Sequence, residues 1–156
     1  MNIVLARIDE RLIHGQVMTR WIKGLFVKRI LVIDNKIAKD DFYIQVLKMT
    51  VAAGIELECL SAADAAKLIN ENTDDVNTLL LFKEIAPVKE MADAGYMVET
   101  LDIGNVGSSR IRKAITKQVF MSDEEVEIAK ELNSRGMKIV IQMLPSDAEV
   151  DLIGLL

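Results

Sequence analysis

The sequence predicts an α/β fold: a three-layer α/β/α sandwich on a mainly parallel sheet of six to seven strands. Three observations carry this. Short aliphatic runs alternate with amphipathic helical patterns along the whole chain. The runs are continuously apolar, which suits strands covered on both faces, as in parallel sheets. The connections between them are short and regular, as βαβ units require. A length of 156 residues fits one domain, residues 1–156, with a sizeable core. With 51% apolar but only 4% aromatic residues, that core must be built from aliphatic side chains and methionine.

Met1 to Ile8 reads as the first strand, around Ile3-Val4-Leu5-Ala6. A charged loop leads into a helical pattern from Val17 to Phe26, with Val17, Trp21 and Phe26 as inward residues and Trp21 as core packing. Lys28 to Asp34 is the second strand, ended by the polar turn Asp34-Asn35-Lys36. A second helix spans Asp40 to Ala53, its apolar face formed by Phe42, Val46, Met49 and Ala53, and Gly54 stops it. Ile55 to Leu60 is the third strand, and Ser61 caps a third helix with Asp64 three residues on. Thr78 to Phe82 is the fourth strand, followed by a helix from Pro87 to Ala94. Met97 to Ile103 is the fifth, running into the glycine-rich, basic-ended loop Gly104 to Arg110. Lys117 to Met121 reads as a short sixth strand. Ser122 and Glu125 then form a Ser-x-x-Glu helix start, with Val126, Ala129 and Leu132 inward and Gly136 as the stop. Lys138 to Leu144 is the final strand, and Pro145 opens a short acidic and apolar tail.

Several function classes are disfavoured. A net charge of −5 argues against a nucleic-acid binder, which shows a basic face. Cys59 is the only cysteine, so no intrachain disulfide forms, and it reads as a small buried hydrophobe. One histidine and one cysteine are too few for a structural zinc, so no metal site is expected. There is no G-x-G-x-x-G after the first strand and no P-loop. A receiver-like domain would need an acceptor aspartate after the third strand, where Cys59-Leu60-Ser61 stands. No run is long enough to cross a bilayer, and Arg7, Asp9, Glu10 and Arg11 interrupt any signal-peptide pattern, so the expected compartment is the cytoplasm.

The chemistry centres on Ile8-Asp9-Glu10-Arg11-Leu12-Ile13-His14-Gly15-Gln16-Val17, between the first strand and the first helix. His14 is the only histidine. A helix start carries unpaired N–H groups and a partial positive charge, which makes it a seat for phosphate. Gly15 leaves the backbone bare for a close anion, and Arg11 adds a planar cation that matches phosphate oxygens. These are the parts of an imidazole that accepts and donates a phosphoryl group. Ligands in such sheets sit beyond the carboxyl ends of the strands, so the loops Asp34 to Lys36, Phe82 to Glu84 and Gly104 to Arg112 share this edge.

Arg7 to Val17 resembles the active-site signature of the enzyme IIB components of the phosphotransferase system (PTS), mannose/fructose/sorbose family. Leu81-Phe82-Lys83 and the Ser122-Asp123-Glu124-Glu125 start are similar to that family too, as is the ending from Gly136 to Pro145. So is Ile103-Gly104-Asn105-Val106-Gly107, with the order of the family's Asn-x-Gly loop slightly shifted. The resemblance implies that His14 is phosphorylated on Nδ1, that Arg11 partners the phosphate, and that Asp9 fixes the loop or orients the ring. Gly15 and Gln16 belong to the same phosphate seat. Lys83, Ser108, Arg110 and Arg112 are phosphate- or partner-binding candidates from loop position alone.

The resemblance further implies a phosphoryl carrier with no cofactor. It takes the group from a phosphorylated IIA partner and passes it to a sugar held by the membrane IIC/IID components. The chain shows no IIA-like stretch, so IIA is expected to be separate. A homo-oligomer stays open, as does the identity of the sugar. The alternative reading is a non-enzymatic binding module regulated by phosphohistidine, and onward transfer to sugar separates the two.

Overall fold

The structure is a computed structural model that describes residues 1–156. In chain order the elements are β1 (Asn2–Asp9), α1 (Gly15–Gly24), β2 (Arg29–Ile33), α2 (Asp41–Thr50), β3 (Glu56–Leu60), α3 (Ala62–Glu71), β4 (Asn77–Phe82), α4 (Ala86–Asp93), β5 (Thr100–Asn105), β6 (Lys113–Ala114), β7 (Phe120–Met121), α5 (Asp123–Ser134), β8 (Lys138–Ile141) and β9 (Val150–Asp151). Seven strands form the main sheet, in the order β3-β2-β4-β1-β5-β8-β9. Its pairings are parallel except for β9, which runs antiparallel to β8.

The helices start where the sequence supplies acceptors for their free N–H groups. Asp40 accepts the Tyr43 N–H at 3.0 Å, and Ser61 accepts that of Asp64 at 3.1 Å. Ser122 and Glu125 cap each other's backbone at 3.1 and 3.0 Å, a full capping box on α5. One face of the sheet carries α3, α4 and α5 over a core that includes Ala65, Leu80, Val88, Met91, Ala129 and Leu132. The other carries α1 and α2 over a smaller core with Leu12, Met18, Ile30, Leu47 and Leu81. The three layers are thus present, with both faces of β1, β2 and β4 covered.

Four expectations on element detail are corrected. On α2, Phe42 and Met49 are 80% and 85% exposed and Ala53 lies beyond the helix end; the face turned to the sheet is that of Leu47, with Tyr43 and Ile44 packed beside it. Phe26 is 73% exposed, because α1 ends at Gly24 and the backbone turns left-handed there, with φ 53° at Phe26. The stretch 117–121 is a strand only at Phe120–Met121, which pairs with Lys113–Ala114: Thr116 Oγ1 accepts the N–H groups of Gln118 and Val119 in a turn, and Val119 makes a single parallel bridge to Val106 just beyond β5. β8 stops at Ile141, and the tail folds back, with Val150–Asp151 pairing onto it as β9. Cys59 is half-buried, and burial pushes its thiol up to about 11.

Candidate functional site

β1 lies between β4 and β5, with Ile8 beside Phe82 and Asp9 beside Asn105. The chain leaves β1 to α1 on one face of the sheet and leaves β4 to α4 on the other. Such a reversal opens a crevice beyond the carboxyl ends of the strands. The β1–α1 loop occupies that edge.

The loop is held by the Asp9 carboxylate and by its own backbone. Asp9, 2% exposed, accepts the Arg11 N–H on Oδ1 at 3.0 Å, and its carbonyl accepts the Leu12 N–H at 2.8 Å. The Glu10 N–H donates to the Asn105 carbonyl at 3.0 Å, tying the loop to β5. Leu12 sits at φ 57° with its side chain 1% exposed, anchored in the core beneath α1 and α2. A left-handed leucine costs of order 1–3 kcal/mol and persists only where its surroundings impose it.

His14 is the N-cap residue of α1, with extended backbone at φ −147°, an exposed side chain and no side-chain capping bond. No acidic residue lies in the first turn of α1. The first N–H groups of this helix are therefore left without a side-chain acceptor, next to an imidazole open to solvent. Gly15 has φ +57°, while a Cβ built on it would meet nothing within 4 Å. It is the backbone angle, rather than crowding, that calls for glycine. Gln16, also exposed, is the second residue of the helix. His14 and Gly15 also line an open apolar groove of about 1130 Å³ with Ile22, Phe26 and Val51.

The charged candidates fall into two groups. Arg11 Nε and Nη2 approach Asp9 at 3.3 and 3.5 Å, which orients the guanidinium while its side chain stays 39% exposed. Lys83, next to the end of β1 across the sheet, and Ser108 and Arg110, in the loop after β5, are exposed and have no side-chain hydrogen bond or ion pair within the chain. Arg112 differs. It donates to both Glu125 oxygens, at 2.8 and 3.2 Å, and lies 3.8 Å from Glu10. Hydrogen bonding to Glu125, with the added charges of Glu10 and Glu84, raises its pKa. Burial pushes the Glu125 carboxyl up, but Arg112 and Ser122 outweigh it and hold it below the ordinary range. No group of three or more His, Cys, Asp or Glu is placed to hold a metal ion.

Sequence reasoning missed Arg7 and Asp102. Both are buried, 0% and 2% exposed, side by side on β1 and β5, and Arg7 Nη1 donates to Asp102 Oδ2. Arg7 also donates to the carbonyls of Gln142 and Met143 at 2.7 and 3.2 Å. Its guanidinium carbon lies 5.3 Å from the centre of the Trp21 ring. Burial pushes the Asp102 carboxyl up to about 6, with Arg7 and the Gln142 N–H pulling the other way. The available signal was an arginine and an aspartate, each within a mostly apolar strand, since buried charges must pair.

A family model described as "PTS system sorbose subfamily IIB component" matches residues 3–156. The chain belongs to this family. The fructose-specific EIIB component of Bacillus subtilis (strain 168) is 32% identical over 157 residues, covering 100% of this IIB chain and 96% of that protein. The sorbose-specific EIIB component of Klebsiella pneumoniae is 30% identical, covering 98% and 94%. The mannose-specific EIIAB component of Escherichia coli (strain K12) is 27% identical, and the match covers 100% of the chain but 49% of that protein. Among solved structures, the IIBSor domain of the sorbose permease from Klebsiella pneumoniae superposes with a TM-score of 0.91 at 29% identity, covering 99% of this chain and 96% of that one. A structure described as a phosphoenolpyruvate-dependent phosphotransferase system gives a TM-score of 0.93 at 32% identity, covering 99% and 97%. A IIB component is a sugar-specific part of the PTS that works with IIA and membrane IIC/IID components, so this chain serves phosphoryl transfer to sugar. No helix of the chain is long and apolar enough to cross a membrane.

Proposed function

We propose that His14 is the phosphoryl carrier of this IIB chain. One observation carries the reading: the sole histidine stands, exposed and without a capping bond, at the uncapped start of α1, behind a left-handed Gly15. The neutral imidazole is the form that attacks. A Nδ1 lone pair forms the new N–P bond as the N–P bond of a donor phosphohistidine on IIA breaks, and that electron pair returns to the donor ring. Charge spreads over three equatorial oxygens, and holding it is mostly electrostatic work. The α1 N–H groups of Gln16 and Val17 and the outward side of the Arg11 guanidinium supply that hold, with Asp9 keeping Arg11 in place.

In the second step a sugar hydroxyl oxygen, presented by IIC/IID, attacks phosphorus. The His14 N–P bond breaks and the hydroxyl proton passes to solvent or a permease base. Lys83 and Arg110 serve as free cations at the rim, and Ser108 as a hydroxyl donor there. Arg112 plays a different part. With its charge matched by Glu125, it clasps the loop after β5 to α5. The relatives are named for fructose, sorbose, mannose and N-acetylgalactosamine, which supports a hexose or its amino derivative as the acceptor. On this reading the chain works in the cytoplasm, at the inner face of the permease.

The test is phosphoryl transfer from phospho-IIA to sugar with membranes that contain IIC/IID. His14→Ala should abolish it without loss of fold. Arg11→Ala should slow it at least tenfold while half-saturation by IIA changes little. Acceptance of phosphate by the wild type with no onward transfer would instead favour the signalling module.

A further inference from the structure

We infer that Arg7 is a positioning residue that fixes helix α1, and through it the place of His14. The inference rests on the reading of His14 as carrier, but its first test does not.

Two side chains of α1 are buried: Met18, which packs in the apolar core beneath α1 and α2, and Trp21. Met18 holds the helix by apolar packing alone, and Trp21 adds its directional, polar anchor. The Trp21 Nε1–H donates to the Met143 carbonyl at 3.0 Å, and one face of its ring meets the Arg7 guanidinium. The same Met143 carbonyl accepts from Arg7 Nη2 at 3.2 Å. Arg7 Nη1 in turn reaches Asp102 and the Gln142 carbonyl, and Asp102 Oδ1 accepts the Gln142 N–H at 2.9 Å. One guanidinium thus joins β1, β5, the segment leaving β8 and the underside of α1. Two turns of helix separate Trp21 from the N-cap at His14, so a shift at Trp21 is carried to the imidazole.

Two features mark this as a built arrangement. Gly104 faces the guanidinium, and a Cβ there would fall on Arg7 Nη2 and Cζ. The strand therefore keeps a glycine where Arg7 needs the space. Arg7 Nε has no hydrogen-bond partner although it is fully buried. A buried ion pair of this kind adds little to stability compared with apolar residues of similar volume, so stability alone gives no reason for it. Arginine suits this position because its planar fork can bond a carboxylate and two carbonyls while stacking on indole.

The experiment uses Arg7→Met/Asp102→Leu, which removes both charges at similar volume and so leaves no unpaired one. Amide hydrogen exchange is measured on the intact chain. The α1 amides from Met18 to Gly24 should exchange at least tenfold faster, while those of α3 and α5 stay unchanged. Fluorescence should shift too, since Trp21 is the only tryptophan. In transfer from phospho-IIA, the maximal rate should drop at least tenfold with the half-saturating IIA concentration within twofold. Unchanged α1 exchange overturns the inference, whatever becomes of the His14 reading. Faster α1 exchange with a wild-type transfer rate overturns its second half. Arg7→Lys keeps the pair with Asp102 but loses the fork and the stacking. Should the double variant fail to fold, wild-type exchange and rate in Arg7→Lys overturn the inference, and loss of both supports it.

Discussion

Gly15→Ala isolates backbone geometry from bulk. The built Cβ meets no atom within 4 Å, so alanine adds no clash. The cost is conformational: at φ +57° an L-residue pays about 1–2 kcal/mol. For a chain of this length that lowers Tm by about 2–8 °C. If the chain relieves the strain by turning the Gly15 peptide, the α1 N–H groups swing away from His14. A displacement of about 1 Å at a reacting group can cost about 100-fold in rate. Asparagine tolerates the left-handed region better than alanine, so Gly15→Asn should recover part of both losses. The assays are thermal unfolding and single-turnover acceptance of phosphate from phospho-IIA. An alanine variant with unchanged Tm, or alanine and asparagine variants that lose equally, would show that the left-handed angle at Gly15 carries no cost.

Acid should open the Arg112–Glu125 clasp. The Glu125 pKa is lower folded than unfolded, so its contribution, about 1 kcal/mol for a partly buried pair, is present above the ordinary carboxylate range and lost as pH falls through the folded value. Glu125→Gln keeps the capping geometry on α5 but not the charge. Thermal unfolding from pH 7 to pH 3 should show wild type above the variant at neutral pH and the two converging in acid; parallel curves would contradict this. Cys59 should resist iodoacetamide at pH 7.5, because a thiol at about 11 leaves about one thiolate in 3,000 there. Its labelling should climb steeply towards pH 11, and rapid labelling at neutral pH would place it in a different environment.

The order of strands and helices was legible because parallel strands buried on both faces announce themselves as unbroken aliphatic runs, as Ile30 to Ile33 and Thr78 to Phe82 do. The capped helix starts at Ser61 and Ser122 were equally plain. α2 was not, because it carries two apolar stripes. Phe42-Val46-Met49 and Tyr43-Ile44-Leu47 both have helical spacing, and only the position of the sheet decides which one turns inward. The tail misled for a related reason: Val150 and Asp151 gain their strand character from β8 alone.

Around the site, residues close in sequence were readable, since the loop from Asp9 to Gln16 is one continuous segment. Partners far along the chain were not. Arg112 looked like a free cation until Glu125 and Glu10 were seen beside it. Arg7 sat in full view within the motif, but its role depends on Asp102, on the carbonyls after β8 and on Trp21. These meet only when the sheet closes.

On the proposed function, one imidazole carries the phosphoryl group. Intact chain is incubated with phosphoenolpyruvate, enzyme I, HPr and a cognate IIA, and the phosphate is mapped by mass spectrometry at alkaline pH. A single, acid-labile phosphate is expected on His14, and it should disappear when the phosphorylated chain, separated from phosphoenolpyruvate and its donor proteins, is given sugar and IIC/IID membranes. An acid-stable phosphate, or one on any other residue, would contradict that function.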